Sequence, residues 1–230
     1  MVYAAEIDGK RYTFQASGSL WMDALVMQDR ETKSLWPQPW GECIKGPSEG
    51  KKLEQFPAIH TTYAEFKKQY PNGQLLKKPE KGEAGSSYDQ YFADSDKLGI
   101  FGRTNNFERL PGKDKVFGIR RGDQQVAVAE AYLIERGYAI ITGSSDPVVV
   151  TYDKNSSTAA AFVLAGKQTE TINGLKVENN RIIVSDGKLV WDALTGELIE
   201  GDGENLALVP TMSAYWFAWL SFFPETELIK

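Results

Sequence analysis

The chain has 230 residues, 42% hydrophobic and 25% charged, proportions that fit a folded protein with a real core and exclude a disordered or collagen-like chain. Against 31 acidic residues stand 26 basic ones, a formal charge of −5, so the chain has no general electrostatic attraction for nucleic acid or anionic lipid. A single cysteine, Cys43, excludes an intrachain disulfide and any Cys-rich metal cluster drawn from this chain alone.

The opening residues, MVYAAEIDGKRYTF, contain no basic segment followed by an apolar stretch, so no signal peptide is read there. Residues 9–16, GKRYTFQA, carry β-favouring side chains and predict a strand. A Gly-rich turn region follows Trp36, and residues 61–70, TTYAEFKKQY, predict a short amphipathic helix. Pro71 ends it, because proline cannot continue a helix and biases its predecessor away from helical angles. Residues 77–115 are rich in Gly, Pro, Lys and Asp, the composition of a linker. Within them, SYDQYFADSDKLGIFG interleaves aromatic side chains, which predicts an ordered arm packed across one or both flanking units.

Beyond the arm, KVFGIRR (115–121) predicts a strand, and QQVAVAEAYLIER (124–136) a strand running into a short helix, with a turn at Gly122 and Asp123. YAIITG (138–143) and DPVVVTYD (146–153) predict two more strands, and NRIIVSDGKLVWDA (180–193) further strand-forming chain. SAYWFAWLSFF (213–223) predicts a second short helix, stopped by Pro224. It is apolar nearly all round, so it is expected to lie deeper than the first. Its most apolar run, residues 215–223, is far shorter than the roughly 18–20 residues a spanning helix needs, so no transmembrane segment is read.

The two helical segments end two versions of one pattern. Trp36, Gly41, Glu42, Ile44 and Gly46 match Trp191, Gly196, Glu197, Ile199 and Gly201 at a constant offset of 155. Pro57, Pro71 and Leu75 match Pro210, Pro224 and Leu228 at an offset of 153, as a two-residue deletion requires. Val2 and Tyr3 align with Ala161 and Phe162 at an offset of 159. The expected fold is therefore α+β: a strand-rich, internally duplicated unit with short aromatic helices near the end of each copy. Residues 1–76 form the first copy, 77–115 the arm and 116–230 the second copy. The second copy begins with strand-forming chain that the first lacks, so the first is expected to miss a front of roughly 45 residues.

Met27, Asp29, Arg30, Thr32, Ser34, Trp36 and Gln38 make a Met-x-Asp-Arg-x-Thr-x-Ser-x-Trp-x-Gln pattern. With LEQFPAIHTTYAEFKKQYPNGQLL, VFGIRRGDQQVAVAEAYLIE and the ending SAYWFAWLSFFPETEL, it resembles domain-of-unknown-function family 3179 of bacteria and archaea over nearly the whole chain. The resemblance implies no assigned activity. It implies an extracytoplasmic setting, since members often carry export signals or membrane anchors. Typical members also carry a His-Glu pair and a Tyr-Cys-Pro-x-Cys segment ahead of the stretch where this chain begins. In the second copy the matching stretch reads TYDKNSSTAAAF, with Asp153 and Ser156 at the two cysteine positions, so a thiol or metal role does not carry over.

Few residues offer chemistry of their own. His60 is the single histidine and has no cysteine or second histidine to join it in a zinc site or a Ser-His-Asp relay, so a local cap or surface role is expected. Cys43 stands opposite Leu198 in the repeat, which favours a small buried hydrophobe over a nucleophile. The candidate ligand-binding cluster is Asp29, Arg30, Ser34, Trp36 and Gln38. In extended chain Arg30, Ser34, Trp36 and Gln38 would share a face and offer a guanidinium, a hydroxyl, an indole and an amide. The competing reading has Asp29 and Arg30 organise a turn while Trp36 packs in the core, as Trp191 would. No catalytic residue, metal ligand or cofactor is expected.

The sequence favours a non-catalytic binding or assembly subunit, its open strand edges completed by a protein partner. One alternative is part of an exported redox or metal-handling protein whose Cys-bearing segment is outside this chain. The other is a hydrolase that uses paired carboxylates.

Overall fold

A computed structural model of the chain describes residues 1–76, 89–99, 109–143, 146–165, 172, 174–184 and 188–230. The fold is α+β and strand-rich, with four short helices among the described residues. In chain order the first part contains β1 (Val2–Tyr3), β2 (Glu6–Ile7), β3 (Lys10–Arg11), β4 (Phe14–Trp21), β5 (Ala24–Asp29), β6 (Leu35–Pro37), β7 (Gln55–Phe56) and α1 (Tyr63–Gln69). Helix α2 (Asp89–Ala93) lies between the two parts in the chain. The second part runs β8 (Lys115–Arg121), β9 (Gln124–Ala129), α3 (Glu130–Arg136), β10 (Tyr138–Ile141), β11 (Val148–Asp153), β12 (Thr158–Val163), β13 (Lys176–Glu178), β14 (Arg181–Val184), β15 (Leu189–Asp192), β16 (Leu198–Glu200), β17 (Ala207–Leu208), β18 (Thr211–Tyr215), α4 (Trp216–Phe222) and β19 (Glu227–Ile229).

Several small sheets share the strands. β4-β5-β6 and β13-β14-β15-β16 are antiparallel meanders, and β10-β11-β12-β17 is a third antiparallel sheet. In the sheet ordered β18-β8-β9-β19, only β19 runs parallel to its neighbour. The tight turns follow from residues that accept left-handed backbone. Met22 and Asp23 join β4 to β5 with φ of 51° and 61°, and Asn179 and Asn180 join β13 to β14 with 50° and 58°.

β8 and β9 read as continuous apolar runs because both of their faces are covered. Phe117, Ile119, Val126 and Val128 meet α3, β10 and β11 on one side. Val116 and Ala127 meet Trp216, Trp219, Phe222 and Phe223 on the other. Gly118 allows that closeness, since an added Cβ would stand 2.1 Å from the Trp219 ring. The same aromatic layer joins the two parts of the molecule: Trp40 stacks on Phe223 at 5.8 Å, and Trp21 meets Phe222 edge-on at 5.6 Å.

The arm expected over residues 77–115 lies partly outside the described residues, and its described pieces touch both parts. Arg109 donates to the carbonyls of Thr226 (2.7 Å) and Pro224 (3.1 Å) and lies over the Trp216 ring. Lys113 donates to the carbonyls of Tyr91 and Asp94, and the Tyr91 hydroxyl accepts from Gly99 N at 3.1 Å. Gly99 in turn lies against Asp23 of the β4-β5 turn, where an added Cβ would stand 2.6 Å from the carboxylate carbon.

Residues 155 apart occupy matching places. Met27 pairs with Trp36 as Ile182 does with Trp191, and Gln28 with Leu35 as Ile183 with Val190. The Gly41 amide donates to Pro37 O and the Gly196 amide to Asp192 O, both at 2.9 Å. Both glycines have left-handed backbone, with φ of +67° and +74°. A Cβ on either would strike an aromatic ring, that of Tyr3 at 2.8 Å or that of Phe162 at 2.6 Å. Helices α1 and α4 match residue for residue at 153, and each ends as the amide of the next residue, Tyr70 or Phe223, donates to a carbonyl four back. The likeness stops at the front. β12 pairs on both edges, with β11 and β17, whereas β1 pairs with β7 alone among the described residues.

Candidate functional site

Asp29, Arg30, Ser34, Trp36 and Gln38 do not share the face that an extended chain would give them. β5 ends at Asp29 and β6 begins at Leu35, so residues 30–34 form a turn, with Lys33 at φ 62°. Asp29, Ser34 and Trp36 are buried completely. The Asp29 carboxylate accepts from Trp36 Nε1 (2.9 Å), Thr32 N (2.5 Å) and Thr32 Oγ1 (2.8 and 2.9 Å). Ser34 Oγ lies 2.6 Å from Thr32 Oγ1 and accepts from Ser48 N at 3.2 Å. Burial pushes the Asp29 carboxyl up, and the bonds from Trp36, Thr32 and Ser34 outweigh it, holding it below the usual carboxylate range. Arg30 points elsewhere, its Nε donating to Gln15 Oε1 at 3.1 Å, and the Gln38 carbonyl accepts from the Tyr3 hydroxyl at 2.7 Å. Three of the five therefore make a buried lock that fixes the β5-β6 turn.

Cys43 is buried, and that burial pushes its thiol up, so it is protonated and inert at neutral pH. His60 is exposed and borders a narrow cleft with Lys115, Glu130, Tyr152, Ser157 and Ser213. Beside it the β11-β12 turn carries a chain of hydroxyls. Asp153 Oδ2 accepts from Ser156 Oγ at 2.5 Å, Ser156 Oγ lies 2.8 Å from Thr158 Oγ1, and Thr158 Oγ1 lies 2.7 Å from Thr61 Oγ1. These bonds close the turn and tie it to the entry of α1. Among the described residues no group of three or more His, Cys, Asp or Glu could hold a metal ion.

The two helices differ most in what covers them. α4 buries Trp216, Phe217, Trp219 and Phe222, while α1 buries none of its residues. Tyr63 is 62% exposed, and Leu75 and Leu76 just past α1 are 60% and 89% exposed. An apolar cleft of about 670 Å³ opens beside α1, lined by Ile59, Phe66, Tyr70, Leu194, Thr195 and Leu208 among others. Thr195 and Tyr70 correspond to Trp40 and Phe223, which stack on each other at the other helix. Where one site is filled by rings, the other is open. A separate polar cleft of about 850 Å³ lies between Trp40, Lys52, Arg120, Asp123 and Gln125. Arg120 crosses its wall, donating to Trp40 O at 3.1 Å and lying over the Phe223 ring.

A family model described as a protein of unknown function, DUF3179, matches residues 1–226. The chain belongs to that family. No curated protein and no solved structure matches it. The half-exposed packing of α1, none of whose residues is buried, is a feature read from this chain's own structure. No helix among the described residues is long and apolar enough to cross a membrane.

Sequence reasoning missed the α1 cleft, although its components were visible. The helix pattern gives α1 an apolar side, and only the comparison with α4 reveals that no strand pair among the described residues lies against it. Leu75 and Leu76 were the available signal: two adjacent leucines after a helix-ending proline, in the place where the second part has a paired strand.

Proposed function

We propose that this DUF3179 chain is a non-catalytic binding or assembly subunit, built of two diverged copies of one unit, whose N-terminal copy is completed by a protein partner. The observation that carries this reading is the contrast between α1 and α4. The same helix at the same place buries four side chains in one copy and none in the other. Tyr63, Tyr70, Leu75 and Leu76 are large apolar side chains left exposed on and just after this helix, and exposed apolar surface that clusters marks interaction sites. The matching strand registers, glycine conformations and helix ends support descent from one unit.

The test compares amide hydrogen exchange of α1 in the isolated chain with that in the assembly purified from its native source, whose chains are weighed intact. Slower exchange across residues 63–70, confined to the assembly, is the expected result. A native particle with the mass of this chain alone, exchanging as the isolated chain does, overturns the proposal.

A further inference from the structure

We infer that the partner, on the reading just given, docks through a two-stranded antiparallel β-hairpin supplied by another polypeptide. The hairpin seats in a cradle of three segments: residues 58–62, α1 and residues 74–76. The second copy displays the filled form of this cradle. There β18 pairs antiparallel with β8, β19 pairs parallel with β9, and α4 lies across the hairpin that β8 and β9 make. At the offset of 153, β18 corresponds to residues 58–62, α4 to α1 and β19 to residues 74–76. All three holding segments are thus present in the first copy. Among the described residues neither 58–62 nor 74–76 belongs to a strand.

The filled cradle also specifies the occupant's chemistry. Gly118 lies opposite Met212 and beneath Trp219; the matching residues are Ile59 and Phe66. The partner's first strand therefore places a glycine or alanine over the Phe66 ring. Val116 and Ala127 fill the space under α4, so small or β-branched residues at those positions would fill the cleft beside Phe66 and Tyr70. Ala127 faces Leu228 and Val128 faces Ile229 in the parallel pair, which assigns Leu75 and Leu76 to the partner's second strand. The hairpin's far side is apolar as well, because β8 and β9 bury Phe117, Ile119, Val126 and Val128 away from α4. The hairpin is therefore one layer of a larger folded body, and its docking is strand addition at two edges with a helix laid across it.

The probe is a synthetic peptide with the sequence of Lys115–Ala129, titrated into the full chain. Saturable 1:1 binding is expected, with slowed amide exchange at residues 58–62 and 74–76. A peptide with Gly118→Val is expected to bind at least about tenfold more weakly, as is the original peptide to a chain carrying Leu76→Asp. Leu76 is 89% exposed, so that variant folds normally, which its circular dichroism checks. Absence of binding by a folded chain, or protection elsewhere than the two segments, overturns the hairpin. Reciprocal exchange between two copies of this chain, read as a dimer by sedimentation, overturns the separate polypeptide as source. A native partner that protects α1 but leaves 58–62 and 74–76 unpaired overturns this inference while the subunit reading stands; a native chain without any partner removes both.

Discussion

Replacing Asp29 by valine, the residue type at the matching position 184, tests whether the buried carboxylate is a structural lock. The change removes the acceptor for Trp36 Nε1 (2.9 Å) and for both donors of Thr32 (2.5 to 2.9 Å). Hydrogen bonds to a charged group each contribute about 1.5–3 kcal/mol, and a buried donor left without a partner costs about 1–3 kcal/mol. Relief of the carboxylate's own desolvation and relaxation of the 30–34 turn offset part of this, leaving a loss of about 3–4 kcal/mol. For a chain of this size that lowers Tm by about 10 °C. Near-ultraviolet circular dichroism during thermal and urea unfolding reads the change, since Trp36 lies inside the lock. Asp29→Asn, which keeps one acceptor oxygen and the shape, should lose about half as much. Lys51→Ala, which breaks the exposed pair with Asp8 at 2.6 Å and leaves the left-handed turn at Asp8 intact, should leave Tm nearly unchanged. A loss below about 1 kcal/mol for Asp29→Val would refute the lock.

Acid should act through the same group. The folded pKa of Asp29 lies below the unfolded value of about 3.9, so its contribution is complete above that value and is lost as pH falls through the folded pKa. Asp153 is lowered likewise, burial being outweighed by its bonds from Ser156 and Asn155, so Asp29→Asn should flatten the stability curve below pH ~4 in part only. At the alkaline end burial raises Tyr3 to about 12, above the ordinary tyrosine value, so stability should fall as pH rises from about 10 towards 12. Tyr3→Phe, which installs the residue type of Phe162, should remove that share of the slope and cost about 1 kcal/mol at neutral pH through the lost bond to Gln38 O. Gly118→Val should destabilise by about 3 kcal/mol or more, because its Cβ would meet the Trp219 ring at 2.1 Å; chemical denaturation measures it.

The comparison of the two parts shows how similar local geometry supports different surfaces. Trp36 and Trp191 hold the same place, yet the first indole donates to a carboxylate and the second to the carbonyl of Glu204 at 2.9 Å. Divergence at the helices is larger. At an offset of 153, Trp216, Trp219, Phe222 and Phe223 correspond to Tyr63, Phe66, Gln69 and Tyr70, and each of the latter has less apolar bulk or an added polar group.

Much of the strand and helix pattern was legible because its signals are local. Pro71 and Pro224 mark the ends of α1 and α4, and the short apolar runs at 116–119 and 126–129 became the doubly buried hairpin. The candidate site was not legible, because alternation was applied across a turn. Nothing in the string QDRETKSLWPQ states that the chain leaves β geometry at Arg30; that follows from a carboxylate gathering donors from a neighbouring turn and from an indole seven residues on. The competing reading, a turn organised by Asp29 with Trp36 in the core, matches the geometry found. The inferred cradle is not visible in any single segment, since it emerges only when 58–62, α1 and 74–76 are set against β18, α4 and β19 at an offset of 153.

The most direct test of a partner-completed subunit is site-specific photocrosslinking in the native host. A photoreactive residue replaces Tyr63 on the face of α1, or, as a control, Ile134 on the exposed side of α3, 62% and 47% exposed respectively. The account predicts one discrete second polypeptide attached at position 63 and none at position 134. Attachment at both positions alike, or a chain that remains alone at position 63, would contradict it.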